Sequence, residues 1–244
     1  METDPFWTLI ANCRRQGLSG DQRDAWLRDA LRRLPPQELI RFQACLDHLT
    51  GEAFTWNLWA AADRIFGGWC SDDAFCYFQR WMVSLGRPVF EAALTDADVL
   101  AYAPEVLRLS GRPRAAWSDD DWPQWESLAY LAREAYEQLA VGPGDSGDSG
   151  GPGDPAAPGT PAAAGTSRAP ATPVGRDDRG SAFDAATRAL LDSASRNRPG
   201  LTPAGRRWSV LDEAESARRL PRLTEMFPLG DPSPADQTPL TRRR

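Results

Sequence analysis

One short stretch of the chain carries the residue types that most readily do chemistry. Residues 67–73 read Gly-Gly-Trp-Cys-Ser-Asp-Asp, which places a thiol close to two adjacent carboxylates. Paired carboxylates can act as acid and base or bind a cation, and a cysteine beside them could be reactive. Tryptophan rings upstream and an arginine downstream could complete a ligand site. The candidate ligand-binding residues are Trp56, Trp59, Cys70, Asp72, Asp73 and Arg80.

The same stretch also has the pattern of a helix start. Ser71 is a preferred N-cap residue, and Asp72 and Asp73 in the first turn favour the helix dipole. Neighbouring residues on a helix point about 100° apart, so the two carboxylates would not converge on one substrate atom. The capping interpretation is therefore the favoured one, and a ligand site around Gly67–Asp73 is the alternative.

Other apparent catalytic motifs fail for lack of context. Residues 147–152 spell Gly-Asp-Ser-Gly-Gly-Pro, as around the nucleophile of chymotrypsin-like proteases, but they lie in a Gly/Pro-rich stretch. The single histidine, His48, falls on a predicted helix, and strand patterning is absent, so no serine protease triad is expected. The chain has no lysine, which excludes a Schiff base and a P-loop. The sequence predicts no catalytic residue, no metal and no cofactor.

Charge and apolar patterning limit the possible partners and locations. Residues 1–140 contain 21 acidic residues and 14 arginines, a net charge of −7, which disfavours binding to nucleic acid. No run of about 18 apolar residues predicts a membrane span, and the acidic, aromatic N-terminus is unlike a secretory signal. The four cysteines have neither zinc-site nor redox spacing. A cytoplasmic protein with reduced thiols is expected.

Helical periodicity runs through most of residues 4–139 and predicts an all-α fold, a single compact helical domain. Proline and glycine mark the predicted helix ends. The predicted helices run from Asp4 until Gly17, from Ser19 until Pro35, over the apolar residues from Leu39 to Ala53, and from the Thr55 cap until Gly67. Further helices are predicted over residues 71–85, 88–94, 96–102 and about 123–139.

The remainder of the chain has a different composition. In residues 142–180, 24 of the 39 residues are Gly, Pro or Ala. Such a segment cannot bury enough apolar surface to offset the conformational entropy that it would lose on ordering, so a disordered linker is predicted. Residues 181–244 are predicted to be a largely disordered tail with marginal helices near 183–195 and 207–227.

The ordered part resembles a known family in the sequence and spacing of its aromatic and small residues. The residues that carry the resemblance are Phe6-Trp7, Thr55-Trp56-x-Leu58-Trp59-x-Ala61-Ala62, Gly67-Gly68, Cys70-Ser71-Asp72-Asp73-x-Phe75-x-x-Phe78-x-x-Trp81, Gly86-Arg87, Phe90-Glu91-Ala92-Ala93-Leu94 and Ala135-Tyr136-Glu137. They are similar to a bacterial family of proteins of unknown function, DUF4240, over about residues 4–139. The resemblance implies a domain boundary and no activity.

The function favoured by these observations is a non-enzymatic protein-interaction domain with a partner-binding tail. Catalytic constellations are missing, whereas the tail carries apolar anchors spaced for short helices that fold on a partner or on the domain itself. These predicted partner-binding residues are Trp208, Leu211, Leu220, Leu223, Met226 and Phe227. The alternative is an enzyme or a small-ligand or metal binder with its site around the Gly67–Asp73 loop.

Overall fold

A computed structural model describes residues 3–139, 176–194 and 202–229, and all of its regular elements are helical. The all-α prediction is confirmed. The α-helices are α1 (Asp4–Arg15), α2 (Gly20–Leu31), α3 (Pro36–Glu52), α4 (Trp56–Phe66), α5 (Asp72–Ser84), α6 (Arg87–Thr95), α7 (Pro104–Leu107), α8 (Leu131–Leu139), α9 (Arg176–Ala194), α10 (Glu213–Arg219) and α11 (Pro221–Met226). Short 3₁₀ helices span Ala97–Tyr102, Arg114–Ala116, Asp119–Asp121 and Ser127–Ala129. None of the helices in the described ranges could cross a membrane, given their length and polarity.

Local capping explains where α4 and α5 begin. The hydroxyl of Thr55 accepts a hydrogen bond from the backbone N–H of Leu58, and the hydroxyl of Ser71 accepts one from Ala74, each over 3.2 Å. Gly67 ends α4 with φ of 98°, a left-handed conformation that favours glycine. The side chain of Ser71 therefore caps α5, as the sequence pattern predicts.

Helices α1 to α8 surround one hydrophobic core rich in aromatic rings. Phe6 of α1 packs on Phe42 of α3, and Phe75, Phe78 and Trp81 form a continuous stack along α5. These rings are at most 6% exposed, so they bury most of their apolar area. The core holds α4 and the 3₁₀ helix Ala97–Tyr102 side by side.

The predicted helix over 123–139 is wrong in its first half. The α-helix begins only at Leu131, after the 3₁₀ turn Ser127–Ala129. The backbone N–H of Trp125 donates to the carbonyl of Tyr77, and its indole N–H donates to Asp24 over 2.8 Å. Trp125 thus makes hydrogen bonds to distant helices in place of the hydrogen bonds of an α-helix. The apolar spacing of the local sequence does not predict such long-range contacts.

Helix α9 packs against α3 and α8. Its Phe183 is 1% exposed and meets the ring of Tyr136 with centroids 5.0 Å apart, while Asp184 lies 3.4 Å from Arg133. The helix begins at Arg176, inside the region predicted as linker, and the rest of that linker, residues 142–175, lies outside the described residues. In the predicted tail the described helices are α9, α10 and α11.

Candidate functional site

The apolar anchors of the tail lie against the helical domain of the same chain. Residues 202–229, called here the C-terminal segment, run along α4 and place α11 against α4 and the 3₁₀ helix Ala97–Tyr102. We call the surface formed by residues 54–66 and 97–102 the docking groove. Of the six predicted partner-binding residues, Leu220, Leu223 and Phe227 are buried, Trp208 and Met226 are half-buried, and Leu211 is 70% exposed.

The segment enters the groove through main-chain pairing. The N–H of Ala204 donates to the carbonyl of Phe54 over 2.8 Å, and the N–H of Trp56 donates back to Ala204 over 3.0 Å. The indole N–H of Trp208 then donates to the side-chain oxygen of Asn57 over 3.0 Å. These contacts fix the register of the segment along the start of α4.

Gly68 lies beside the segment at the end of α4. A Cβ atom at this position would lie 3.4 Å from methyl carbons of Leu211 and Leu229, an ordinary van der Waals contact. Its φ of 93° is a conformation that side chains disfavour. The turn after α4, rather than the contact with the segment, therefore favours glycine here.

Arg64 of α4 is 1% exposed and directs its guanidinium into the C-terminal segment. Its Nη1 and Nη2 atoms donate to the two carboxylate oxygens of Glu213 over 2.9 and 3.1 Å. The same nitrogens donate to the carbonyls of Val210 and Thr224 over 3.4 and 3.2 Å. A two-pronged bond to a carboxylate is the geometry that a guanidinium matches best. Arg64 therefore ties α10 and α11 together on the groove.

Asp98 is the second charged side chain that the segment covers. It is 6% exposed, and its carboxylate accepts the backbone N–H groups of Arg222 and Leu223 over 2.9 to 3.1 Å. Pro221 has no N–H, so these are the first two donors that α11 offers. Asp98 thus caps a helix that lies more than 120 residues later in the chain.

The family comparison covers the part of the chain that forms the docking groove. A family described as a protein of unknown function, DUF4240, matches residues 1–138. The chain belongs to the DUF4240 family. Searches of curated proteins and of solved structures gave no significant match. The groove residues Asn57, Arg64 and Asp98 lie inside the DUF4240 domain, whereas the segment that covers them follows it.

Within the DUF4240 domain, the predicted ligand-binding residues are only partly brought together. The rings of Trp56 and Trp59 stack with centroids 5.7 Å apart, and the indole of Trp59 donates to the carbonyl of Cys70 over 3.3 Å. Asp72 and Asp73 are exposed in the first turn of α5. The arrangement holds the 67–71 loop against α4 and leaves the two carboxylates in solvent.

The thiol of the Gly67–Asp73 loop lies in surroundings that lower its reactivity. Burial raises the pKa of the Cys70 thiol well above its ordinary value, and nearby Asp63 raises it further, so the thiol stays protonated. Burial raises the pKa of Asp63 to about 6, against the lowering effect of the hydrogen bond from the backbone N–H of Cys70. A protonated, buried thiol is a poor nucleophile.

Arg80 lies at a different place on the DUF4240 domain. It donates to the carbonyl of Cys76 over 3.3 Å and lines a cavity of about 220 Å³ with Asp47 and Gln79. Among the described residues that line this cavity, none is another member of the predicted ligand set. The structure therefore separates Arg80 from the loop.

A larger cavity of about 470 Å³ opens between α2 and the segment before α8. Its walls carry four aromatic rings and five carboxylates, those of Trp81, Trp122, Trp125, Tyr130, Asp21, Asp24, Asp119, Asp120 and Glu126. Several of its polar groups are paired, since Trp125 donates to Asp24 and Ser19 donates to Asp120. In the described residues no group of three or more His, Cys, Asp or Glu side chains is placed to hold a metal ion.

The sequence interpretation missed Arg64 and Asp98, although Arg64 left a signal. It lies three and four residues after Ala61 and Ala60, so it shares the apolar face of α4. A charge on an apolar face needs a partner. Asp98 has no comparable signal, because its partners are main-chain groups that any residue carries.

Proposed function

We propose that the DUF4240 domain of this chain is a protein-interaction module whose docking groove binds helical peptide segments. The C-terminal segment is then its intramolecular ligand. One observation carries the proposal: in the described part of the chain Arg64 and Asp98 are the two least exposed charged residues, at 1% and 6%, and both have their partners in the segment. A buried charge requires a partner, so these two side chains are suited to recognise an occupant.

The chemistry of the contact favours a reversible interface. The interface between the segment and the groove combines an ion pair and main-chain hydrogen bonds with a few apolar anchors. The side chain of Glu213 in that ion pair is 54% exposed. When the segment leaves, Arg64 and Asp98 can exchange its polar groups for water, while Val210, Leu220, Leu223 and Phe227 leave the hydrophobic core that they share with the domain. An exchangeable ligand is what a docking module needs.

The segment depends on the groove for its helical structure. Helices α10 and α11 have seven and six residues, too short to be stable alone in water. The residue at the N-cap of α11 is Leu220, which supplies no side-chain acceptor, and Asp98 takes that role. Folding and docking of the segment are therefore coupled.

The connection keeps the segment close to its groove. Seven residues, 195–201, join α9 to the segment, and α9 itself packs on the domain. Because the segment belongs to the same chain as the groove, its effective concentration there is about millimolar, and a partner in solution must compete with it. The module is self-masked until a stronger ligand arrives.

The test opens the tether in the full-length chain. A protease site placed within residues 195–201 is cut after folding, and residues 202–244, carrying a fluorophore at the C-terminus, are followed by fluorescence anisotropy on dilution. The proposal expects the fragment to dissociate at low concentration while the domain stays helical by circular dichroism, and to rebind when added back. If the fragment separates only when the domain unfolds, the segment is an integral part of the fold and the proposal is wrong.

An enzyme or ligand site around the Gly67–Asp73 loop stays a prediction, as does the cytoplasmic location. Neither of the two cavities described above includes Cys70, Asp72 or Asp73 among its described lining residues. The docking groove has the more developed set of specific contacts, and we therefore favour the interaction function.

A further inference from the structure

We infer that the docking groove selects partner segments by a two-part motif: an acidic residue for Arg64 and, seven residues later, the sequence Leu-Pro-x-Leu, whose main-chain N–H groups bind Asp98. The inference rests on the proposed function and names the partner chemistry of that site. In the C-terminal segment the motif is Glu213 followed by Leu220-Pro221-Arg222-Leu223. The occupant is a segment of another protein with this pattern.

Arg64 sets the first half of the motif. Its guanidinium is almost fully buried and donates at the same time to a carboxylate of α10 and to a main-chain carbonyl of α11. An occupant without an acid would leave a buried cation half-paired, which is strongly unfavourable. An occupant that forms one straight helix could not supply both groups in this arrangement. The groove therefore favours two short helices joined by a turn.

Asp98 sets the second half. It accepts two main-chain N–H groups, and the proline just before them removes a donor that the carboxylate would otherwise leave unpaired. Leu220 precedes these donors and Leu223 carries one of them; the two side chains are 1% and 0% exposed, and Phe227, four residues after Leu223, is 4% exposed. The spacing i, i+3 and i+7 places all three on the face toward the groove.

The aromatic contact at the rim adds a preference for a cation after the proline. The Arg222 guanidinium lies 4.5 Å from the ring centroid of Tyr102, which is 56% exposed. Such exposed cation–aromatic contacts are weak. We therefore treat an arginine at this place as favourable but not required.

The test uses the cleaved full-length protein that holds the labelled fragment 202–244. Unlabelled synthetic peptides covering residues 202–229 displace the fragment, and anisotropy gives the concentration for half displacement. If the motif is correct, Glu213→Gln in the peptide raises the concentration for half displacement tenfold or more. The matched variant Glu225→Gln, which changes an exposed acid of α11, changes this concentration less than twofold. On the protein, Asp98→Asn is expected to weaken binding of the unaltered peptide tenfold or more, and Asp72→Asn less than twofold.

Two failures are distinguishable. If the unaltered peptide displaces the fragment but Glu213→Gln behaves as Glu225→Gln, or Asp98→Asn as Asp72→Asn, the motif is wrong and the docking module stands. If the unaltered peptide at high concentration does not displace the fragment, the proposed function fails, and the motif with it.

Discussion

Arg64 and Glu213 lie 149 positions apart in the chain and form a two-pronged ion pair with N–O distances of 2.9 and 3.1 Å. The two partners differ sharply in environment, because the arginine side chain is 1% exposed and the glutamate side chain is 54% exposed. The cation belongs to the DUF4240 domain and the anion to the segment that covers it. The pair therefore joins the family domain to a part of the chain that lies outside the family match.

Neutralising Glu213 is expected to loosen the C-terminal segment without unfolding the domain. In the intact chain, Glu213→Gln leaves Arg64 buried with a neutral partner, and the half-exposed position of Glu213 limits the cost to about 1–2 kcal/mol. Limited proteolysis is expected to cut residues 202–229 faster, while residues 3–139 remain resistant. Glu225→Gln serves as the control, and equal cleavage rates for the two variants would contradict this role of the ion pair.

Removing the Asp98 carboxylate is expected to release α11. Asp98→Ala leaves the backbone N–H groups of Arg222 and Leu223 without their acceptor, at a cost of about 1–3 kcal/mol. Hydrogen exchange followed by mass spectrometry is expected to show lost protection in residues 221–227. Helix α9, which does not contact Asp98 through any described bond, provides the internal reference. Unchanged protection in α11 would mean that its apolar anchors alone hold it.

Asp63 is expected to make the folded domain less stable as the pH rises. Burial raises its pKa to about 6 in the folded state, above about 3.9 in an unfolded chain. The folded state therefore binds the proton more tightly, and the free energy of unfolding falls as the pH rises from about 4 to 6. The Asp63→Asn variant lacks this titrating group and does not lose stability in this way. Its free energy of unfolding, minus that of the unaltered chain, is therefore expected to increase by about 1–2 kcal/mol from pH 4 to pH 6.

Urea unfolding at pH 4, 5, 6 and 7.5 measures the effect of Asp63. Asp21→Asn changes an exposed carboxylate and gives the background pH dependence. A difference between Asp63→Asn and the unaltered chain that is the same at pH 4 and pH 7.5 would show that Asp63 titrates normally.

The four free thiols are expected to react in an order set by their exposure. Burial raises the pKa of all four thiols, but Cys13, Cys45 and Cys70 are buried, whereas Cys76 is exposed on α5. Because the reagent must reach the thiolate, iodoacetamide at pH 8 is expected to modify Cys76 first, and all four only after unfolding. Peptide mass mapping identifies the modified residue, with Cys76→Ser as control. If Cys70 is modified as fast as Cys76, the result would support the interpretation of the Gly67–Asp73 loop as a reactive site.

Local signals in the sequence determined most of the helices of the domain. The apolar spacing, the hydroxyl caps at Thr55 and Ser71, and the glycine after α4 act within a few residues, so they can be read without the fold. The change in composition after residue 140 likewise marks where the family domain ends. The tail anchors could be named for the same reason, since Leu220, Leu223 and Phe227 follow helical spacing.

What only the tertiary structure decided is where those anchors lie and which charges accompany them. Periodicity shows that a face is apolar, but it does not say whether the face meets another protein or the same chain. The contacts of Arg64 with Glu213 and of Asp98 with Leu223 span 149 and 125 positions, and hydrogen bonds at such separations leave no repeat in the sequence. The non-helical path at Trp125 has the same origin, because its partners, Tyr77 and Asp24, belong to distant helices. Local interactions thus define most helices of the domain, whereas long-range contacts, both apolar and charged, decide how the last helices form and dock.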